Sequence, residues 1–373
     1  MRLILVLSFL ILAPKAYSQT IFTDVFAPDR PTDLHIIDDE LYVGAYFGGY
    51  LAKVPLNDPT SVTIVSNDFA TGEGPLKMDY DPSTNVIYTG IFTSFVAPGC
   101  YQIDLNQSFP TDAEFYTSFQ FFQGLDIEDS TLLYSGTDAQ GESGRLYTID
   151  LNVGPSSAEL IYVDPDGGVR APIVYDGYIY FGSPDLINNN SAVYKIDASD
   201  PNPEREYIAT VSEQTIQSSL LHGKYLFLGI ATGGNESKIV RLDLESTKIP
   251  RPQEEIVSNF KGGIFGMAIS EDNLYFTEGG TGIIWVLNDP SLSFEESRIG
   301  SFKLYPNPTN DSVFLKGEID INTSYKIYGV GGDKLLQGRY SSGGINLARL
   351  SKGIYFVTIE NDMGRQTKKI VKK

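Results

Sequence analysis

Histidine and cysteine supply most nucleophiles, proton shuttles and soft metal ligands, and this chain has two His and one Cys in 373 residues. His35 and His222 have no partner at metal-ligand spacing. Each reads as a structural histidine rather than a general base, although an unperturbed imidazole titrates near neutrality. Cys100 follows Pro98-Gly99 in a turn. With no cation or helix end beside it to stabilise a thiolate, it reads as a small packing residue. A lone Cys also excludes an internal disulfide framework and thiolate-rich zinc sites. HExxH, CxxC, GxSxG and phosphate-loop patterns are absent. Asp164-Pro165-Asp166-Gly167-Gly168 opens like a calcium loop but lacks the later carboxylates, including the bidentate Glu, and reads as a polar turn.

The remaining chemistry depends on where loops converge, and a repeat decides that. Leu41-Tyr42-Val43-Gly44 recurs as Ile87-Tyr88-Thr89-Gly90, Leu133-Tyr134-Ser135-Gly136, Ile179-Tyr180-Phe181-Gly182, Leu226-Phe227-Leu228-Gly229 and Leu274-Tyr275-Phe276-Thr277. The aromatic residues are spaced by 46, 46, 46, 47 and 48. Each copy holds four strand-like runs, as in Gly124–Glu128, Leu132–Gly136, Arg145–Leu151 and Ala158–Val163. Apolar and polar residues alternate within these runs, and Asp, Asn and Pro follow them as turn formers. Four strands at this period make a β-propeller blade, and six blades form the ring. Fourth strands are found for five blades at Val62–Val65, Ala113–Tyr116, Ala158–Tyr162, Arg205–Ala209 and Glu254–Val257. The sixth copy lacks one, and Thr20–Phe26 is expected to supply it.

In such a ring, the loops from strand four to strand one and from strand two to strand three share one face. Arg30, Asp33, Tyr46, Glu73, Lys77, Phe92, Gln123, Asp126, Arg170, Gln217 and Phe265 fall there and form the candidate ligand-binding set. Asp29, Phe47, Tyr50, Phe95, Asp138, Glu142, Asp164, Asp166, Asp185, Asn188 to Asn190, Glu213, Asn235, Glu236, Lys261 and Glu278 join them. Convergent polar groups with aromatic residues suit a ligand cup.

Met1–Ser18 reads as a secretory signal. Arg2 gives a positive start, Leu3–Leu12 an apolar stretch, and Ala16-Tyr17-Ser18 small residues at the cut. The apolar run is too short to span a bilayer, which takes about 20 residues. The expected organisation is a signal at 1–18, a propeller at 19–291, a linker at 292–300 and a C-terminal domain at 301–373. The net charge of −19 argues against nucleic acid as partner. It averages unlike parts: residues 301–373 carry 12 Lys and Arg against 6 Asp and Glu, a net of +6, whereas residues 19–300 carry −27.

The C-terminal segment resembles the type A C-terminal sorting domain of the type IX secretion system of Bacteroidetes. The resemblance lies in Leu304-Tyr305-Pro306-Asn307-Pro308-Thr309, Tyr325-Lys326-Ile327-Tyr328 with Gly329-Val330-Gly331-Gly332, Leu350-Ser351-Lys352-Gly353-Ile354-Tyr355-Phe356-Val357, and Lys368-Lys369-Ile370-Val371-Lys372-Lys373. It implies an immunoglobulin-like β-sandwich, with Tyr305, Pro306, Asn307, Pro308, Gly353, Tyr355, Lys368 and Lys369 as sorting-motif residues. It also implies the secretion machinery and a sortase-like peptidase as partners, and delivery to the cell surface or the medium. The propeller is similar in architecture alone to six-bladed rings of the gluconolactonase type. That likeness implies an alternative, a metal-dependent hydrolase or lactonase with Asp33, Glu73, Asp126 and Asn188 around one cation. The primary expectation is a noncatalytic module that binds an extracellular glycan, peptide or protein. No cofactor is expected, and a single Ca2+ or other divalent cation belongs to the alternative.

Overall fold

Apart from two 3-10 turns, Ala27–Asp29 and Pro155–Ser157, every regular element in the described residues is a strand. The structure is a computed structural model. It describes residues 18–91, 98–118, 122–137, 143–185, 190–211, 215–231, 234–289, 291–292, 303–316, 323–329, 334–340, 344–361 and 364–373. All of the expected signal but Ser18 lies outside these residues, as does most of the expected linker. The chain divides into two units, Met1–Leu292 and Ser293–Lys373.

The first unit opens with β1 (Ser18–Thr23). Blade one is β2 (Pro31–Ile37), β3 (Glu40–Ala45), β4 (Tyr50–Pro55) and β5 (Thr63–Ser66). Blade two is β6 (Lys77–Asp81), β7 (Val86–Ile91), β8 (Gly99–Asp104) and β9 (Ala113–Ser118). Blade three is β10 (Gly124–Glu128), β11 (Thr131–Thr137), β12 (Gly144–Asp150) and β13 (Glu159–Asp164). Blade four is β14 (Arg170–Tyr175), β15 (Tyr178–Asp185), β16 (Asn190–Asp197) and β17 (Glu206–Val211). Blade five is β18 (Thr215–His222), β19 (Tyr225–Ala231), β20 (Ser237–Asp243) and β21 (Gln253–Phe260). Blade six has β22 (Met267–Ser270), β23 (Asn273–Glu278) and β24 (Ile283–Asn288), and β1 is its fourth strand.

Each blade is a four-stranded antiparallel sheet; the first five run in chain order, and in the sixth β1 lies beside β24. The innermost strands β2, β6, β10, β14, β18 and β22 each pack against the next, and β22 packs against β2. The ring is therefore closed. Closure rests on β1, which pairs antiparallel with β24, Thr20 opposite Val286 and Ile21 opposite Trp285. This strand stops short of the expected Phe26, because the chain turns where the Ala27 N–H donates to the Asp24 carbonyl at 2.9 Å. Phe26 instead plugs the seam between blades six and one, 1% exposed beside Leu34, Val43 and Tyr275.

The repeated motif explains how blades meet. Its aromatic residue sits in the second strand and is buried in every copy, from Phe227 at 0% to Tyr275 at 6% exposure. Its glycine marks the closest approach of the next blade. A Cβ on Gly90 would lie 2.2 Å from the Phe122 ring, and one on Gly229 would lie 2.5 Å from the Ile264 carbonyl oxygen. Blade six reverses the device. Thr277 stands at the glycine position, and its hydroxyl accepts the Phe265 and Gly266 N–H groups at 3.2 and 3.0 Å. The close approach passes to Gly266, whose Cβ would meet Asp33 Cα at 2.6 Å.

Cys100, expected in a turn, lies in a strand, and His222 ends one. Cys100 belongs to β8, where it is 2% exposed and burial pushes its thiol up. His222 ends β18, with Nε2 2.8 Å from the Leu292 carbonyl oxygen.

The second unit is a sandwich of two sheets. One contains β25 (Lys303–Tyr305), β26 (Ser312–Lys316) and, after the strands of the other sheet begin, β29 (Ile345–Asn346). The other runs in the order β28 (Lys334–Arg339), β27 (Ser324–Gly329), β30 (Gly353–Asn361) and β31 (Gly364–Lys372). Val313, Leu315, Ile345 and Leu347 from one side pack with Ile327, Tyr355, Val357, Ile359 and Ile370 from the other.

Candidate binding channel

The innermost strands enclose a cavity of about 330 Å3 on the ring axis, lined by residues of all six blades. Its ionisable groups are Asp33 and His35 on β2, Lys77 and Asp79 on β6, and Asp126 and Glu128 on β10. The wall opposite is made by β14 and β18, with Ile173, Val174, Ser218, Ser219, Leu220 and Leu221. One half of the cavity is thus charged and the other is apolar with two hydroxyls.

Each strand aspartate ties its blade to the next. Asp33 Oδ2 accepts the Met78 N–H at 2.7 Å, Asp79 Oδ2 accepts the Ile127 N–H at 2.6 Å, and Asp126 Oδ2 accepts the Val174 N–H at 2.8 Å. The other oxygens differ. Asp33 Oδ1 lies 3.7 Å from Lys77 Nζ. Asp79 Oδ1 accepts the Tyr80 N–H at 2.8 Å and lies 3.4 Å from His35 Nδ1. Lys77 also donates to the Phe265 carbonyl, so its ammonium joins blades one, two and six.

Burial controls the charge here. It pushes the Asp79 carboxyl from 3.8 up to about 7. It pushes Asp126 well above the usual carboxylate range, with repulsion from Asp79 adding to the rise. Glu128 is raised by burial and by Asp129. Burial also raises Asp33 and lowers Lys77, and their mutual attraction opposes both changes. His35 is lowered by burial, against the pull of Asp33. Burial therefore favours the neutral form of these carboxyls, which can donate as well as accept hydrogen bonds.

Of the candidate ligand-binding set, Asp33, Lys77 and Asp126 come together in this cavity. The other described members do not line it. Arg30 lies over the Phe47 ring at 4.9 Å, and Tyr46 packs on the same ring at 5.4 Å. Glu73 is 5% exposed, and neither carboxylate oxygen has a hydrogen bond among the described residues. Gln123 joins blades three and four through its backbone, its carbonyl accepting the Ala171 N–H at 3.4 Å. Arg170 opens β14, Gln217 sits at the bulge of β18, and Phe265 contributes the carbonyl that holds Lys77. Tyr50 donates to Asp29 at 2.7 Å. Glu278 is buried and takes the Lys261 N–H at 2.8 Å and the Trp285 ring N–H at 3.1 Å. Phe92 lies outside the described residues, as do Phe95, Asp138, Glu142, Asn188, Asn189 and Glu213.

Asp79 and Glu128 were absent from that set, although they lie on the same innermost strands as Lys77 and Asp126. A signal did exist: Asp33, Asp79 and Asp126 recur at steps of 46 and 47, the period of the motif itself. At the calcium-like turn, Arg205 pairs with both carboxylates. Its Nη1 donates to Asp164 at 2.9 Å, its Nη2 donates to Asp166, and its guanidinium lies 4.3 Å over the Tyr194 ring. Among the described residues, no three His, Cys, Asp or Glu side chains converge to hold a metal ion.

In the second unit, Tyr305 is 48% exposed and packs on Phe314 at 5.9 Å. Gly353 opens β30, and Tyr355 is buried with its hydroxyl donating to the Ser351 carbonyl at 2.6 Å. Asn307 reaches β31, the strand that carries Lys368 and Lys369.

No curated protein matches the sequence. Solved structures similar to the chain include PorZ, a surface component of the type IX secretion system of Porphyromonas gingivalis, at 13% identity and TM-score 0.43 over 91% of this chain. The chain spans about half of that protein, 51% of its length. A structural-genomics target assigned to the gluconolactonases matches at 9% identity and TM-score 0.50, covering 74% of this chain and 93% of its own. A Thermus thermophilus protein assigned as a glucose dehydrogenase matches at 10% identity and TM-score 0.53, covering 73% of this chain and 100% of its own. At such identities the likeness concerns the fold alone: the chain shares the repeating four-stranded blades of propeller proteins. No helix among the described residues is long and apolar enough to cross a membrane. The family model described as the secretion system C-terminal sorting domain matches residues 303–373, so the sandwich of the second unit is a sorting domain of the type IX secretion system carried behind a propeller-like passenger.

Proposed function

We propose that the passenger is a noncatalytic binding module whose ligand seat is the axial cavity. The sorting domain implies export to the cell surface or beyond and contact with the secretion machinery. The observation that supports a binding role is the division of the cavity wall. Asp33, Lys77, Asp79, Asp126 and Glu128 face an apolar wall that carries the Ser218 and Ser219 hydroxyls. A volume of about 330 Å3 suits one sugar ring or one peptide side chain. That lies at the small end of ligand sites, which run from about 300 to 1,000 Å3. Carboxyls that donate as well as accept hydrogen bonds would recognise a hydroxyl- or amide-rich group from an extracellular glycan or peptide.

The test is a thermal-shift screen of residues 19–373 against glycans, peptides, lactones and divalent cations, since a ligand of the folded state raises apparent stability. A hit should be lost in Asp126→Asn, which keeps an acceptor for the Val174 N–H, while the unliganded variant should melt at or above wild type at neutral pH, because burial disfavours the ionised carboxyl. A hit that Asp126→Asn leaves unchanged would place the ligand elsewhere. Metal-dependent turnover of a lactone would replace the reading with the hydrolase alternative.

A further inference from the structure

The last strand of the sorting domain is an edge strand, because β31 ends the order β28-β27-β30-β31. An edge leaves alternate N–H and C=O groups without a sheet partner. Here they are covered by the Asn307–Thr309 segment. Asn307 Nδ2 donates to the Lys369 carbonyl at 3.0 Å, and Asn307 Oδ1 accepts the Val371 N–H at 2.9 Å. The Thr309 N–H donates to the Val371 carbonyl at 2.9 Å, and the Lys373 N–H donates to the Thr309 carbonyl at 2.8 Å. Thr309 and Lys372 form a parallel bridge. A side-chain amide thus continues the hydrogen-bond ladder that a neighbouring strand would make. An amide suits this place because it carries a donor and an acceptor on one planar group.

A second tie comes from within. Lys372 is 7% exposed, and its ammonium donates to the Leu347 and Leu350 carbonyls at 2.7 Å each. The strand alternates, so Ile370 and Lys372 point inward while Lys369 and Lys373 are exposed. The terminal lysines therefore divide into an internal tie and outward charges. A one-residue slip would exchange them.

We infer that Asn307 is the positioning residue of the sorting signal: it fixes the register of the C-terminal strand so that Lys369 and Lys373 are presented outward while Lys372 is locked inside. The inference rests on the sorting-domain assignment and is independent of the proposed ligand cavity. Asn307 is itself exposed, so the rival explanation is direct recognition of its side chain by the export machinery.

The experiment combines amide hydrogen exchange on residues 19–373 with the fraction of passenger reaching the cell surface, for wild type, Asn307→Ala and Asn307→Asp. Asp keeps the acceptor for Val371 but has no donor for Lys369. With the Asn307 bond gone, Val371 should exchange roughly tenfold faster in the alanine variant. The Val357 amide in β30 should be unchanged, and surface delivery should fall several-fold. The aspartate variant should fall between and serves as the probe if the alanine variant does not fold. Lost delivery with wild-type exchange at Val371 would make Asn307 a directly read residue and overturn the inference. Full delivery with fast exchange would overturn it too, since sorting would then ignore the strand's register.

Discussion

Replacing Asp79 with Asn should change how stability depends on pH, with a sign and size that follow from the channel. The Asp79 side chain is 18% exposed, and burial moves its carboxyl from 3.8 to about 7. An acid with a higher pKa folded than unfolded binds more protons in the folded state between those values. Its contribution to stability is therefore greatest at low pH and is lost as the pH rises toward 7. At about 1.4 kcal/mol for each tenfold change, the loss is about 4 kcal/mol. Asn removes the charge but also one of the two acceptors that hold the Tyr80 and Ile127 N–H groups. One lost hydrogen bond costs about 1 kcal/mol. The variant should be about 1 kcal/mol less stable than wild type at pH 4 and about 3 kcal/mol more stable at pH 8, so the two profiles cross. Urea unfolding followed by the fluorescence of Trp285, the chain's one tryptophan, reports on the propeller alone. Parallel profiles from pH 4 to pH 8 would refute the claim that an ionised Asp79 is buried at a cost.

Lys77→Met removes the partner of Asp33 and the donor to Phe265, so it should destabilise the ring by about 3 kcal/mol at pH 8. The loss should shrink toward pH 4, because burial favours the neutral form of Asp33 as the pH falls, and urea titration at both pH values measures it. Phe26→Ala empties a site that is 1% exposed and should cost about 3–5 kcal/mol by the same Trp285 signal. A change below about 1 kcal/mol would mean that the seam between blades six and one does not depend on it. Deleting residues 303–373 should leave the passenger in the periplasm, as read by cell fractionation. Surface display equal to wild type would contradict a sorting role.

The closed ring was legible because its cause is local and repeated. A buried aromatic residue and a glycine at fixed places in each second strand recur every 46 to 48 residues, and the missing fourth strand of blade six pointed to the N-terminus. The sorting domain was legible through four short motifs in order. The cavity was legible only in part. Asp33, Lys77 and Asp126 were identified, but Arg30, Tyr46 and Glu73 were grouped with them because they share a face of the ring. Sharing a face does not decide whether a side chain reaches the axis. That depends on strand register and on competing partners, such as the Phe47 ring for Arg30.

Sequence alone therefore determined the period, the strand-forming pattern, the charge contrast between the two parts and the export address, all of which are properties of residues close along the chain. Tertiary structure decided which carboxyls share a cavity, that Arg205 pairs with both Asp164 and Asp166, and that Lys372 is buried while Lys369 is not. These depend on groups far apart in the sequence, as Lys77 and Phe265 are at a separation of 188 residues. Burial then sets their charge, because the cost of ionising a group depends on what surrounds it in space.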